Sequence, residues 1–337
     1  MMNLALLSYW HVHAKDYERE AIANPGTEIS VVWDEDVDRG AREAARIGAR
    51  FESDLQAVLG DPSIDGVIVT TATSEHERVL IAAARAGKHI FTEKVIAATT
   101  SGAQAVLEAV DQAGVTMMVC LPRLSNGYTR ALEGMLERGD LGSIGYFRMR
   151  VGHNGAVRSD TDPDGWLPPQ FYRLSEAEGG ALIDLGAHPL YLARHLVGLP
   201  ESVSATYGYF TGREVEDHAV VTLKYGSGAI AVAEVSFIDQ PSTWELEIHG
   251  DRGMARVEMP EMQLRIRRAM ANRRDRSEWE AVDVPDDAPS PFDQWVGCIE
   301  GGRKNHANLA LAFDLTRLAE AANRSAADGV SVRIDEE

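Results

Sequence analysis

The sequence predicts an α/β protein with a doubly wound parallel sheet at its N-terminus and a second α/β domain carrying an open, mainly antiparallel sheet. Three observations carry this. Through residue 121, short apolar runs alternate with helical stretches of roughly ten to fifteen residues, the pattern of βαβ units. Between residues 203 and 258, strand-like runs succeed one another across turns such as Tyr225-Gly226-Ser227-Gly228, the pattern of an antiparallel meander. At 337 residues the chain has room for two domains, read here as 1–121 and 122–337.

Leu4-Ala5-Leu6-Leu7 is the first strand, followed by a helix from about Val12 to Ala23. Glu28 to Trp33 is the second, closed by Asp34, and a polar helix runs from about Val37 to Ile47. Gly66-Val67-Ile68-Val69-Thr70 is continuously apolar, as a parallel strand covered on both faces should be. Ser74 is placed to cap the next helix, which extends through about Ala86. Lys88 to Phe91 and Val115 to Val119 are further strands, separated by a helix from about Ser101 to Ala113. The second domain begins near Leu121-Pro122-Arg123 with a helix around Asn126 to Arg138 and a strand from Ile144 to Val151. Residues 152–178 are rich in Gly, Pro and Asp, and a segment so long without regular structure is usually a functional loop or disordered. Its aromatic residues favour an ordered loop, and His153, Trp166 and Tyr172 suit a wall against a sugar-like ring. After the meander, helices near 290–300 and 307–327 close the chain.

Sheets of this kind bind ligands at the carboxyl ends of their strands. Asp34 stands about where an acid would hold a ribose 2′-hydroxyl, although acids are also common at helix N-termini. No arginine follows it directly, whereas Glu35, Asp36 and Asp38 do, which favours NAD over NADP. The run from Gly179 to His188 is apolar after its glycine pair and reads as a buried helix. On a helix, Asp184 and His188 would share a face with Cβ atoms roughly 5–6 Å apart. Such a pair is either a satisfied core pair or a proton relay for a substrate hydroxyl. His11-x-His13 invites a metal, but no neighbouring cysteine or acid completes a set, so no metal is expected. His89, His195, His249 and His306 read as structural or surface residues, and the basic run from Arg265 to Arg276 as a solvated strand and turn.

Three stretches resemble the glucose-fructose oxidoreductase/inositol dehydrogenase/MocA family, and the match covers nearly the whole length. They are Thr71-Ala72-Thr73-Ser74-Glu75-His76, Glu93-Lys94-Val95, and the Gly-Gly-x-x-x-Asp-x-Gly-x-His run at 179–188. The resemblance implies an N-terminal Rossmann domain, a C-terminal α/β domain with an open antiparallel sheet, and nicotinamide-dependent chemistry on a secondary alcohol of a sugar, polyol or related compound. It also implies that Lys94 stands near the nicotinamide and the substrate hydroxyl, with Asp184 and His188 as its partners. Arg123 falls where the family often carries an arginine at the active-site edge, and the C-terminal sheet would make a homodimer or homotetramer. Two departures stand out. The glycine-rich loop is replaced by Ser8-Tyr9-Trp10-His11-Val12-His13-Ala14, and the proline after the lysine is Val95. Ser8, Trp10 and His11 are therefore expected to meet the cofactor in place of glycines, together with Asp34, Thr71, Ser74, His76 and Glu93.

The expected mechanism has His188 take the hydroxyl proton, Asp184 orient it and Lys94 offset alkoxide charge. A second reading keeps the cofactor but recycles it, using transient oxidation to permit glycoside elimination or hydrolysis. A third is a non-catalytic sugar-binding protein on the same fold; the rewritten 8–14 loop supports it, and retained Lys94, Asp184 and His188 oppose it. The net charge of −19 disfavours nucleic acid and anionic membranes as partners. Cys120 and Cys298 suggest no disulfide framework. No run approaches the ~20 apolar residues of a membrane span, and no basic region with an apolar signal core opens the chain. A cytoplasmic enzyme is the expectation.

Overall fold

Six parallel strands order the first unit of the computed structural model, which describes residues 1–270 and 277–334. They are β1 (Met2–Leu7), β2 (Thr27–Trp33), β3 (Arg50–Phe51), β4 (Gly66–Val69), β5 (His89–Thr92) and β6 (Met117–Val119), and they lie in the order β3-β2-β1-β4-β5-β6. This is the doubly wound order in which the chain reverses direction across the sheet between β1 and β4. Leu4 to Leu7 and Val67 to Val69 are fully buried because helices cover both faces. The unit comprises Met1–Leu121, Ser175–Glu178 and Pro289–Thr316, so it takes in the helix Pro291–Glu300 from far along the chain. Phe292 and Trp295 of that helix pack on Phe91 of β5, and Trp295 Nε1 donates to the Thr116 carbonyl at 3.2 Å. β6 is an edge strand, and Asn308 closes its exposed side: the Val119 amide donates to its Oδ1, and its Nδ2 donates to the Val119 carbonyl, both at 2.9 Å.

The second unit, Pro122–Leu174, Gly179–Ala288 and Arg317–Glu337, is built on nine strands. These are β7 (Ile144–Gly152), β8 (Ser202–Gly208), β9 (His218–Lys224), β10 (Ile230–Ser236), β11 (Thr243–Gly250), β12 (Gly253–Glu258), β13 (Arg265–Arg268), β14 (Glu280–Ala281) and β15 (Val332–Arg333). The meander is present but interrupted. β7 inserts between β10 and β11, parallel to the former and antiparallel to the latter. One face is apolar, with Val221, Leu223, Leu246 and Ile248 buried. On β7, Arg148 bridges Glu234 of β10 at 2.9 Å and Glu245 of β11 at 3.0 Å, as cross-strand charge pairs do. Arg265 to Arg268 form β13, while Arg273, Arg274 and Arg276 lie outside the described residues.

Two local expectations are corrected. Ser74 caps nothing: it lies inside a 3₁₀ turn, Thr73–Glu75, and no side chain caps that turn or the helix His76–Arg85 that continues it. The 179–188 segment is also not one α-helix. Leu182–Gly186 is a π-helical turn, and the α-helix proper is Ala187–Leu196. Asp184 and His188 are half-buried rather than buried.

Candidate active site

The carboxyl end of β1 runs directly into the glycine-free loop. Ser8 there takes φ 79°, the left-handed region that glycine occupies without penalty and other residues at a cost of roughly 1–2 kcal/mol. The loop is held by its own hydrogen bonds. The Tyr9 amide donates to Asp34 Oδ2 (2.8 Å), the Trp10 amide to Ser8 Oγ (3.0 Å) and the His11 amide to the Thr70 carbonyl (3.1 Å). Trp10 is buried, and its Nε1 donates to Glu176 at 2.7 Å.

Asp34 closes β2, as expected, but its surroundings differ from what the local sequence implied. Arg39, five residues on, donates through Nε to Oδ2 (2.9 Å) and through Nη2 to Oδ1 (2.6 Å), and also reaches Glu35 at 2.9 Å. The first turn of helix Val37–Ile47 swings this guanidinium back over the strand end, which adjacency in sequence did not reveal. The acids are therefore not unopposed, and the expectation of NAD over NADP loses part of its basis. At the end of β4, Thr71 is buried, and its Oγ1 has no hydrogen-bond partner among the described residues. An orphan hydroxyl at the ligand-binding end of a parallel sheet is one that a bound molecule would satisfy. The strand order and this hydroxyl fit a dinucleotide, whereas the 8–11 amides are already engaged. His76 is buried, with Nδ1 donating to the Val95 carbonyl at 2.6 Å; burial pushes its imidazole pKa down, and that bond opposes the shift.

β5 delivers Glu93 and Lys94, 2% and 6% exposed. Glu93 Oε2 accepts from the Lys94 amide (2.8 Å), and Oε1 accepts from Tyr17 Oη and lies 3.7 Å from His11 Nδ1. Burial pushes the Glu93 carboxyl up, but the charges of His11 and Lys94 outweigh it and hold the pKa at about 2. The Lys94–Val95 peptide is cis. The expectation that no acid stands by His11 and His13 is overturned: Glu93 comes from a strand some eighty residues on, so no local spacing announces it.

In the second unit the aromatic residues of the 152–178 segment converge. His153 stacks on Phe237 (centroids 5.1 Å, 10° between planes) and lies 4.7 Å from the Trp166 ring. Trp166 is 51% exposed, with Nε1 donating to Asn154 Oδ1 at 2.9 Å. Tyr172 is buried against Phe237, its hydroxyl donating to the Gly155 carbonyl at 3.0 Å, and Arg213 lies 3.6 Å over its ring. Burial lowers the pKa of His153, and the carboxylate of Asp184 works against that. His188 Nδ1 is 3.2 Å from Tyr191 Oη, which in turn accepts from the Arg123 amide at 3.0 Å. The Arg123 guanidinium lies 6.0 Å from the Trp244 ring.

Sequence reasoning missed Phe237, Arg213 and Glu216. Glu216, 3% exposed, accepts from the Gly180 amide (3.0 Å) and the Leu182 amide (2.9 Å), fixing the start of the turn that carries Asp184. A Cβ on Gly180 would overlap the Glu216 carbonyl oxygen, which accounts for glycine there. The glycine pair was a visible sign of a close approach; the identity of what approaches was not.

Two family models match the chain. One, described as an oxidoreductase family with an NAD-binding Rossmann fold, covers residues 10–121, and the other, the GFO/IDH/MocA C-terminal domain, covers 129–256. A 1,5-anhydro-D-fructose reductase from Ensifer adhaerens is 29% identical over 71% of this chain and 71% of its own. A scyllo-inositol 2-dehydrogenase (NAD(+)) from Bacillus subtilis is 28% identical over 70% of this chain and 66% of its own. A levoglucosan dehydrogenase solved with NADH and levoglucosan superposes with a TM-score of 0.82 over 99% of this chain and 100% of its own, at 22% identity, a likeness of fold.

Proposed function

The chain belongs to the GFO/IDH/MocA family of oxidoreductases, and from that premise we propose that it transfers hydride between NAD and a secondary alcohol or ketone of a sugar, polyol or glycoside. The observation that carries the reading is Lys94 at the carboxyl end of β5 in an NAD-binding Rossmann domain, in a chain that also retains Asp184 and His188 on one half-buried turn. The curated relatives named for reducing or oxidising sugar-like hydroxyls support it.

The nicotinamide, when bound, supplies the hydride acceptor or donor. In the oxidative direction His188 takes the hydroxyl proton, a contribution typically worth 10²–10⁴-fold. Asp184 orients the imidazole, and Lys94 offsets charge developing on the reacting oxygen. Glu93, ionised, holds Lys94 through its backbone amide. His153, Trp166 and Tyr172 supply an aromatic wall for an apolar sugar face, and Arg123 supplies a cation at its edge.

A panel of sugars, polyols and glycosides with NAD and NADP, followed by absorbance and product mass together, tests this. NADH accumulating in step with product supports the dehydrogenase. Product without NADH would move the reading to recycled redox chemistry, and sugar binding without turnover to a non-catalytic protein. NAD(H) is expected to bind more tightly than NADP(H), because Asp34 and Glu35 outnumber Arg39; calorimetry showing equal affinities would reverse that. Self-association as a homodimer or homotetramer through the nine-stranded sheet belongs to the same reading, and a monomer by light scattering would remove it. A cytoplasmic location is supported by the two unpaired cysteines, and fractionation tests it. No helix among the described residues is long and apolar enough to cross a membrane.

A further inference from the structure

The structure assigns a divalent transition-metal site to His11, His13 and Glu93. One ligand atom from each of these residues lies within 4.8 Å of the others. Two imidazoles and one carboxylate are a ligand set that first-row divalent ions favour and that leaves coordination positions open. Bonds of about 2.0–2.2 Å give tetrahedral ligand–ligand edges of roughly 3.4 Å. His11 Nδ1 and Glu93 Oε1, at 3.7 Å, are already near that spacing. The His13 ring is 47% exposed, and its centroid lies 5.1 Å from that of His11.

The surroundings are those a metal site needs. His13 Nδ1 pairs with Asp16 Oδ2 at 2.8 Å, which leaves Nε2 as the ligating nitrogen and fixes the ring, the carboxylate–histidine arrangement found behind metal ligands. Glu93 is held by Tyr17 Oη at one oxygen and by the Lys94 amide at the other. The loop that brings the two histidines together is the one in which Ser8 adopts the left-handed conformation; its amides are spent on Asp34, Ser8 and Thr70, and the His13 amide donates to His11 Nδ1 at 3.2 Å, a bond the ion would displace. The ion would sit at the ligand-binding end of the parallel sheet, its open positions available to an oxygen ligand. Magnesium and calcium, which prefer all-oxygen shells, are disfavoured by two imidazoles.

The test uses the full chain without an affinity tag, stripped with chelator and free of nicotinamide cofactor. Calorimetric titration with Zn²⁺, and Co²⁺ titration followed by visible absorption, should each show about one ion per chain, with Mg²⁺ at least ~100-fold weaker. His13→Ala should weaken Zn²⁺ binding by ~100-fold while leaving the melting temperature of the metal-free protein unchanged, because that ring is half exposed. Asp16→Asn should weaken it by ~10-fold through the ligand it orients. Glu93→Gln, if it folds, should abolish the Co²⁺ spectrum. Absence of Zn²⁺ uptake, equal affinity for Mg²⁺, or wild-type Zn²⁺ affinity in His13→Ala would overturn the assignment and leave His11 and Glu93 as a buried ion pair.

Discussion

At the carboxyl ends of β1 and β5, Glu93 and His11 are shut away from solvent; Glu93 accepts hydrogen bonds from Tyr17 and the Lys94 amide and lies 3.7 Å from His11. Along the turn from Leu182 to His188, Asp184 and His188 are half exposed, and the rigid parts lie behind them: Glu216 clasping Gly180 and Leu182, and Tyr191 beneath the imidazole. In the first region burial of the Glu93 carboxyl is outweighed by the charges of His11 and Lys94, which hold it ionised before any ligand arrives. In the second, an anchored backbone presents side chains that remain able to exchange partners with a substrate. Preorganised charge suits cofactor electrostatics and metal holding, whereas a proton acceptor must reach water or substrate.

The sharpest way to break this contrast is turnover. His188→Ala should lose roughly 10²-fold or more in turnover with its melting temperature nearly kept, and Lys94→Ala should lose a similar factor. Their double variant should lose less than the product of the two, since groups acting together are non-additive. Near-wild-type turnover in folded His188→Ala would make the half-exposed pair structural. Next in size is the clasp. Gly180→Ala forces a methyl against the Glu216 carbonyl and should cost about 2 kcal/mol in urea unfolding. An unchanged midpoint would show that the anchor is loose.

Two tryptophans sharpen the comparison further. Trp10→Phe removes the half-buried hydrogen bond from a buried indole to Glu176 and should cost about 1.5 kcal/mol. Trp166→Phe, half exposed, should stay within ~0.5 kcal/mol. Equal effects in thermal melts would erase the distinction between closed and open regions.

The smallest effect is a pH slope. Burial lowers the pKa of His153, and Asp184 and Asp239 only partly oppose it. As pH falls below about 6.5, the unfolded chain takes up the proton first. Stability therefore rises with pH between the lowered folded pKa and about 6.5, and is lost on acidification through that window. His153→Phe, which keeps the stack on Phe237, should flatten this slope. An identical slope in both proteins would assign it elsewhere.

The strands of both sheets were legible from apolar runs to within about two residues, because burial on one or two faces writes itself directly into composition. β3, β14, β15 and the helix Leu55–Gly60 were not, being too short for any period to register. The π turn escaped because over ten residues its period is hard to tell from that of an α-helix. Asp34, Glu93 and Lys94 were visible as strand ends, but their partners were not. Arg39 returns over Asp34 by one helical turn, and Glu93 reaches His11 from across β4, contacts that only the folded sheet creates.

The π turn has a consequence that concerns counting rather than chemistry. A π turn accommodates one residue more than an α turn, and each residue of an α-helix advances the direction of its side chain by about 100°. Deleting Leu185 would allow the segment to relax into a continuous α-helix with every amino acid of the pair still present. The imidazole would then stand three residues from Asp184 instead of four, about 60° round the helix from it and still a neighbour on that side. The length of this short stretch, as well as its composition, therefore sets which way the imidazole points relative to the carboxylate.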